Sequence, residues 1–222
     1  FTTQPEDREL CAGTNTTLSV VASGDTNLQY EWQIDDTGFV DLANSSIYSG
    51  VNTATLTITN PTTTLNGKAY RCVVRGDNST DTPSGSAVLT VHGVPNAPAI
   101  GEQGLGCAPI STTLVPTGAV AGESYRYYDA ATAGNLLGSG TSFPTPSLSV
   151  STTYYISVFH TTTLCESTRT PALVTIQTCH APVVVATTSA AYLEGIVTVD
   201  LSSLISDPDD NLDIGTLRIA SQ

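Results

Sequence analysis

The sequence predicts an all-β chain of tandem β-sandwiches, and three observations carry that prediction. Short apolar runs alternate with a period of two, and Thr, Ser and Val dominate the composition. No window shows a sustained apolar run at helical spacing. Gly, Asn, Asp and Pro break the runs at short intervals, as the turns of stacked antiparallel sheets require.

In "LQYEWQI", Leu28, Tyr30, Trp32 and Ile34 share one face, while Gln29, Glu31 and Gln33 share the other. "ATLTI" places Ala54, Leu56 and Ile58 together, and "YRCVV" does so with Tyr70, Cys72 and Val74. Such alternation describes strands with one face on a core and one in water. Two proline-bearing joints, "HGVPNAPAIG" and "QTCHAPVVV", divide the chain into units of 1–93, 94–178 and 179–222. Pro95, Pro98 and Pro182 restrict the backbone there, which predicts short, stiff connections. The first two units suit seven-stranded sandwiches. The third has room for only a few strands and cannot bury a core of its own, so it reads as truncated or completed by another segment. The chain opens at Phe1 without an initiator Met or a signal-peptide pattern, and it reads as an internal piece of a longer protein.

Charge narrows the partners. Acidic residues number 20 against 7 basic ones, a net charge of −13, which repels nucleic acid and anionic membrane surfaces. No apolar run approaches the length of a membrane span.

Five cysteines, Cys11, Cys72, Cys107, Cys165 and Cys179, fit neither zinc-ligand nor CxxC spacing, and they point to disulfides in an oxidising compartment. The domain boundaries select Cys11 with Cys72 and Cys107 with Cys165. Each pair would close a loop of roughly 60 residues inside one unit and stabilise it by about 4 kcal/mol. Cys179 is left over, its partner expected downstream.

Catalytic signals are sparse. His92, His160 and His180 are scattered and read as exposed linker or loop residues, and neither HExxH nor GxSxG occurs. The chain therefore reads as non-catalytic. Lys68 is the single lysine, so the second and third units cannot form a lysine isopeptide bond. Lys68 itself reads as an exposed turn residue. Among the aromatics, alternation places one member of each tyrosine pair in the core and leaves Tyr128 and Tyr155 exposed, where they could touch a glycan.

"NGKAYRC" sets Tyr70 two residues before Cys72 after a turn at Gly67, the spacing of the tyrosine corner of immunoglobulin-like domains. With Trp32 as the core residue of the third strand, the first unit resembles that fold. The resemblance implies tandem immunoglobulin-like β-sandwiches, with the Tyr70 phenol capping the connection before its own strand. Cys11 departs from the antibody pattern, lying a strand too early. In the second unit, "YRYYDAATAGNLLGSG", "TTYYISV" and "CESTRT" resemble the Ig-like repeats of very large secreted and cell-surface proteins of the Bacteroidota, in which a Trp often takes the place of Tyr127. "GIVTVDLSSLISDPDDNLDIGTLRI" in the third unit is similar to the start of a cadherin-like repeat. These resemblances imply the stalk of a large adhesin on the bacterial cell surface, exported by type IX secretion and linked to gliding motility. Its partners would be a surface ligand or glycan at the tip and the secretion machinery. Accessory carbohydrate-binding modules of a polysaccharide-degrading enzyme, or a secreted cargo fragment, are the alternatives.

"ISDPDDNLDIG" supplies Asp207, Asp209, Asp210 and Asp213 as hard oxygen ligands, with Asn211 beside them, a set that suits calcium. Leu212 stands where an EF-hand needs glycine and Arg218 where it needs glutamate, so any site would be cadherin-like, sharing Glu194 or backbone carbonyls. The competing reading is a polar turn around Pro208.

Overall fold

The computed structural model describes residues 1–78, 80–177, 179, 183–184 and 205–206. The first sandwich is built from β1 (Arg8–Cys11), β2 (Thr16–Ser19), β3 (Gln29–Asp35), β4 (Phe39–Asp41), β5 (Tyr48–Ser49), β6 (Thr55–Ile58), β7 (Lys68–Arg75), β8 (Thr82–Pro83) and β9 (Ala87–His92). One sheet runs β1-β9-β7-β3-β4, with β8 added beside β7, and the facing sheet runs β2-β6-β5. The only helical element among the described residues is a 3-10 turn at Thr63–Leu65.

The period of two sorts these strands. Trp32, Tyr70, Cys72, Leu56, Ile58 and Leu89 are fully buried between the sheets, while Gln29 and Arg75 stay at the surface. Trp32 donates its indole N–H to the Thr53 carbonyl at 2.9 Å, so the large ring is buried without an orphaned donor. The Tyr70 hydroxyl lies 3.1 Å from Tyr48 Oη, which replaces the expected cap on the connection before β7 with a contact to β5. Burial pushes the Tyr70 phenol pKa far up, and the Tyr48 hydroxyl adds to the rise. Gly67 holds φ at +79° in the tight turn into β7, a conformation open to glycine and strained for other residues. Lys68 opens β7 half-buried and ion-paired with Asp36, rather than standing free in the turn.

The second sandwich comprises β10 (Gln103–Cys107), β11 (Thr113–Leu114), β12 (Glu123–Tyr128), β13 (Leu136–Gly140), β14 (Phe143–Pro144), β15 (Thr152–His160) and β16 (Thr170–Gln177). Its main sheet runs β10-β16-β15-β12-β13, facing the short pair β11-β14 and a bridge between Ile110 and Leu148. Leu114, Tyr127, Ile156, Val158 and Val174 fill its core. Thr170 donates its hydroxyl to the Pro98 carbonyl at 2.7 Å, which ties the entry of this sandwich to the start of β16. Beyond it, β17 (Val183–Val184) pairs antiparallel with β18 (Ile205–Ser206).

The strand registers place the two sandwiches in correspondence. Tyr70 lies opposite Ala87 as Tyr154 lies opposite Ala172, and Trp32 opposite Cys72 as Tyr127 opposite Ile156. In both, the first strand of the main sheet runs parallel to the last. Cys11 lies opposite His92 in one, and Cys107 lies opposite Gln177 in the other.

Candidate functional site: the bridged junction

The two sandwiches are joined by a covalent bond. Cys11, at the end of β1, is disulfide-bonded to Cys165 in the β15–β16 hairpin, with the Cα atoms 5.6 Å apart. Cys107, at the end of β10, is bonded to Cys179 just past β16, with Cα atoms 5.5 Å apart. Cys72 is a free, buried thiol. The pairing of Cys11 with Cys72 and of Cys107 with Cys165 is therefore corrected, and Cys179 has its partner within the chain. Position explains the correction. Cys72 faces the middle of the core opposite Trp32, whereas Cys11 sits at the end of an edge strand, at the base of its sandwich. A disulfide needs its Cα atoms within about 7 Å and its Cβ atoms turned toward each other. Burial in apolar surroundings pushes the Cys72 thiol up to about 11, so it is protonated at neutral pH.

The hairpin that presents Cys165 is rigidly held. The Cys165 carbonyl accepts the His160 N–H at 2.8 Å. Ser167 donates its N–H to the Val158 carbonyl and accepts the Val158 N–H on its hydroxyl, both at 2.9 Å. Next to Cys165, the Glu166 carboxylate accepts hydrogen bonds from Arg126 at 2.9 Å, Tyr128 at 2.7 Å and Ser157 at 2.5 Å. Burial opposes the charge on Glu166, yet these three donors outweigh it and hold the carboxyl below the usual glutamate range. Arg126 also stacks over the Phe159 ring and Arg169 over the Tyr128 ring, each 3.3 Å from the centroid. Arg169 then donates to the carbonyls of Ala130 and Ala133, both at 2.6 Å, locking the β12–β13 connection to the same cluster.

Tyr128 is thus not an exposed platform. A register shift between Tyr127 and Tyr128 and the covering Arg169 leave it 7% exposed, and only Tyr155 of the two stays partly open. The histidines also differ from expectation. His92 and His160 end strands β9 and β15 and are half-buried, and His180 lies outside the described residues. His92 Nε2 meets Glu9 Oε1 at 2.7 Å at the base of the first sandwich. His160 Nδ1 accepts the backbone N–H groups of Thr162 and Thr163, which puts the proton of the neutral ring on Nε2. Both half-buried histidines hold structure together at the junction.

Trp32 and Tyr70 lie in the first core, and Cys11, Cys107, Cys165 and Cys179 form the bridges. Asp207, Asp209, Asp210 and Asp213 lie outside the described residues. Among the described residues, no group of three or more His, Cys, Asp or Glu side chains is placed to hold a metal ion. No described helix is long and apolar enough to cross a membrane. Sequence reasoning missed the Glu166 cluster. The available signal was that Arg126 and Arg169 are the basic residues of the stretch 94–178, and both converge on this hairpin.

Residues 95–177 match the family model described as Ig-like domain CHU_C associated, a stretch that coincides with the second sandwich. Among solved structures, the chain is similar to the N-terminal four Ig domains of Dscam1 isoform 1.9, with 14% identity over 78% of this chain and 43% of that one and a TM-score of 0.37. It is also similar to Rst D1-D2, with 18% identity, 78% of this chain and 96% of that one covered, and a TM-score of 0.38. A titin I-band fragment is similar at 16% identity, 82% of this chain and 65% of that one, with a TM-score of 0.38. The chain spans less than half the length of the Dscam1 structure. No curated protein matches the chain. The strands, sheets and registers are those of tandem immunoglobulin-like β-sandwiches.

Proposed function

We propose that this chain is a non-catalytic structural stalk segment of a large secreted or cell-surface adhesin, holding a distal binding region away from a bacterial cell. The observation that carries the reading is the Cys11–Cys165 bond, which links one sandwich to the next across a sequence separation of 154 residues. A binding module that works alone has no need of such a bond, whereas a spacer gains reach only when its joints resist bending. The bridge adds a second covalent connection to the Pro95 and Pro98 linker, so the joint is held on two sides. Division into units 1–93, 94–178 and 179–222 belongs to this reading, as do a surface ligand or glycan at the tip and export by type IX secretion. Two disulfides fit an oxidising, extracellular setting. The carbohydrate-module alternative loses Tyr128, whose ring lies beneath Arg169.

Small-angle scattering of the oxidised chain tests the reading. The expected result is an extended particle whose maximum dimension is sharply defined and broadens when Cys11 and Cys165 are replaced by Ser. A compact or freely hinging oxidised chain would overturn it.

A further inference from the structure

We propose that the two disulfides form a covalent bypass, so that a pull along the chain passes from Cys11 to Cys165 and leaves residues 12–164 unloaded. The source of the pull rests on the stalk reading. The bypass itself follows from how the bonds connect the strands.

The argument starts with the direction of the strands. Because β1 runs parallel to β9, a chain without bridges enters the first sandwich at one end and leaves at the other. Tension would then pull β1 and β9 in opposite directions and load their ladder, Arg8 against Leu89 through Cys11 against His92, in shear. The second sandwich repeats the arrangement with β10 and β16. The bridge changes the route. Tension travels along β1 to Cys11 and crosses to Cys165, so β9 is never pulled against β1. From Cys165 it runs along β16 to Cys179, and β10 is not on the path. The core of the first sandwich is carried without being stretched, and in the second only β16, with Ala172 and Val174, lies on the path.

The second bond is a reserve. Its loop, with a sequence separation of 72, starts inside the first loop and ends outside it. While Cys11–Cys165 is intact, the shorter route lies through Cys165 and the Cys107–Cys179 bond carries no load. If Cys11–Cys165 opens, the load runs through the first sandwich to Cys107 and then crosses to Cys179. The second sandwich stays protected even then. The force enters the backbone at Cys165 and passes on through Glu166, whose hydrogen bonds to Arg126, Tyr128 and Ser157 hold that backbone to the unloaded strands β12 and β15.

Stretching single full-length chains, tethered by their two ends, tests this. A stretched chain measures about 3.3–3.6 Å per residue, so each bond removed adds a calculable length. Replacing Cys11 and Cys165 by Ser should lengthen the fully stretched oxidised chain by about 290 Å. Replacing all four bridging cysteines should lengthen it by about 540 Å. Replacing Cys107 and Cys179 alone should leave the length unchanged. A gain of about 200 Å from that last pair would mean Cys107 bonds Cys165 instead, and it would overturn the bypass. An oxidised wild-type chain as long as the fourfold variant would overturn it as well. Full extension does not depend on whether a variant folds stably, and reducing the wild-type chain under load with a dithiol should reproduce the fourfold length. Failure of the stalk reading would appear in scattering and leave this length series intact. Wrong lengths in a chain with extended scattering would sink the bypass alone.

Discussion

Trp32 and Cys72 lie directly opposite each other on β3 and β7, both fully buried, and the thiol is free. The facing sheet contributes Leu18, Leu56 and Ile58 to the same core. The described strands of the first sandwich are therefore not linked to one another by a disulfide, and Cys11 is turned outward to the neighbouring sandwich.

A buried, protonated thiol is chemically silent. A thiol-reactive dye should label no cysteine in the folded oxidised chain and one per chain after unfolding without reductant. Labelling of the native chain would place Cys72 outside the core. Cys72→Ser should destabilise the first sandwich by about 1–3 kcal/mol, because it buries a hydroxyl among apolar neighbours.

Trp32 is the single tryptophan of the chain, so its fluorescence reports the first sandwich alone. Native emission should be blue-shifted and should move red in one transition with denaturant. Removing the ring by Trp32→Ala should cost about 3–5 kcal/mol. Trp32→Phe should cost less, since it keeps most of the volume and gives up the bond to Thr53. Equal losses from both variants would place the hydrogen bond, not the packing, at the centre of the effect.

Glu166 makes the second sandwich sensitive to acid. Its carboxyl is held below the ordinary glutamate value of 4.5 in the folded chain. The charged form therefore contributes stability that is complete above that value and disappears as pH falls through the depressed folded value. Glu166→Gln should lower the melting temperature of the second sandwich at neutral pH, and the gap to wild type should close on acidification. A gap that is constant with pH would mean the carboxylate charge contributes nothing.

Tyr128→Ala should act on stability, not on a surface. The ring is packed under Arg169 and bonded to Glu166, so its loss should cost about 3 kcal/mol. Tyr128→Phe removes only the hydroxyl and should cost about 1 kcal/mol. Calorimetry of the two variants checks the order. Unchanged melting with altered glycan binding would return Tyr128 to the surface.

The strands of this fold are legible in the sequence where one face meets a core and the other meets water. Trp32 between Glu31 and Gln33 is such a case, since alternation alone assigns its side. Tyr128 is not, because the register shift after Tyr127 changes the alternation and because Arg169, 41 positions further along the chain, supplies the cover. The cysteine pairing was hidden for a related reason. Sequence distance favours short loops within a unit, whereas the bond is set by which ends of two sandwiches meet. Only the strand register reveals that Cys11 and Cys107 stand at equivalent places. The Glu166 cluster likewise draws on two strands, β12 and β15, and a hairpin, and no local pattern announces it.

The reach of the Cys11–Cys165 bond also sets an order of events during synthesis. Cys11 emerges early and has no native partner until the β15–β16 hairpin has been made and shaped. Throughout that interval Cys72 is the nearest other thiol along the chain. Burial of Cys72 in the finished first core takes that competitor out of circulation. The closing of the longer bridge therefore waits on nearly the whole of both sandwiches having been made.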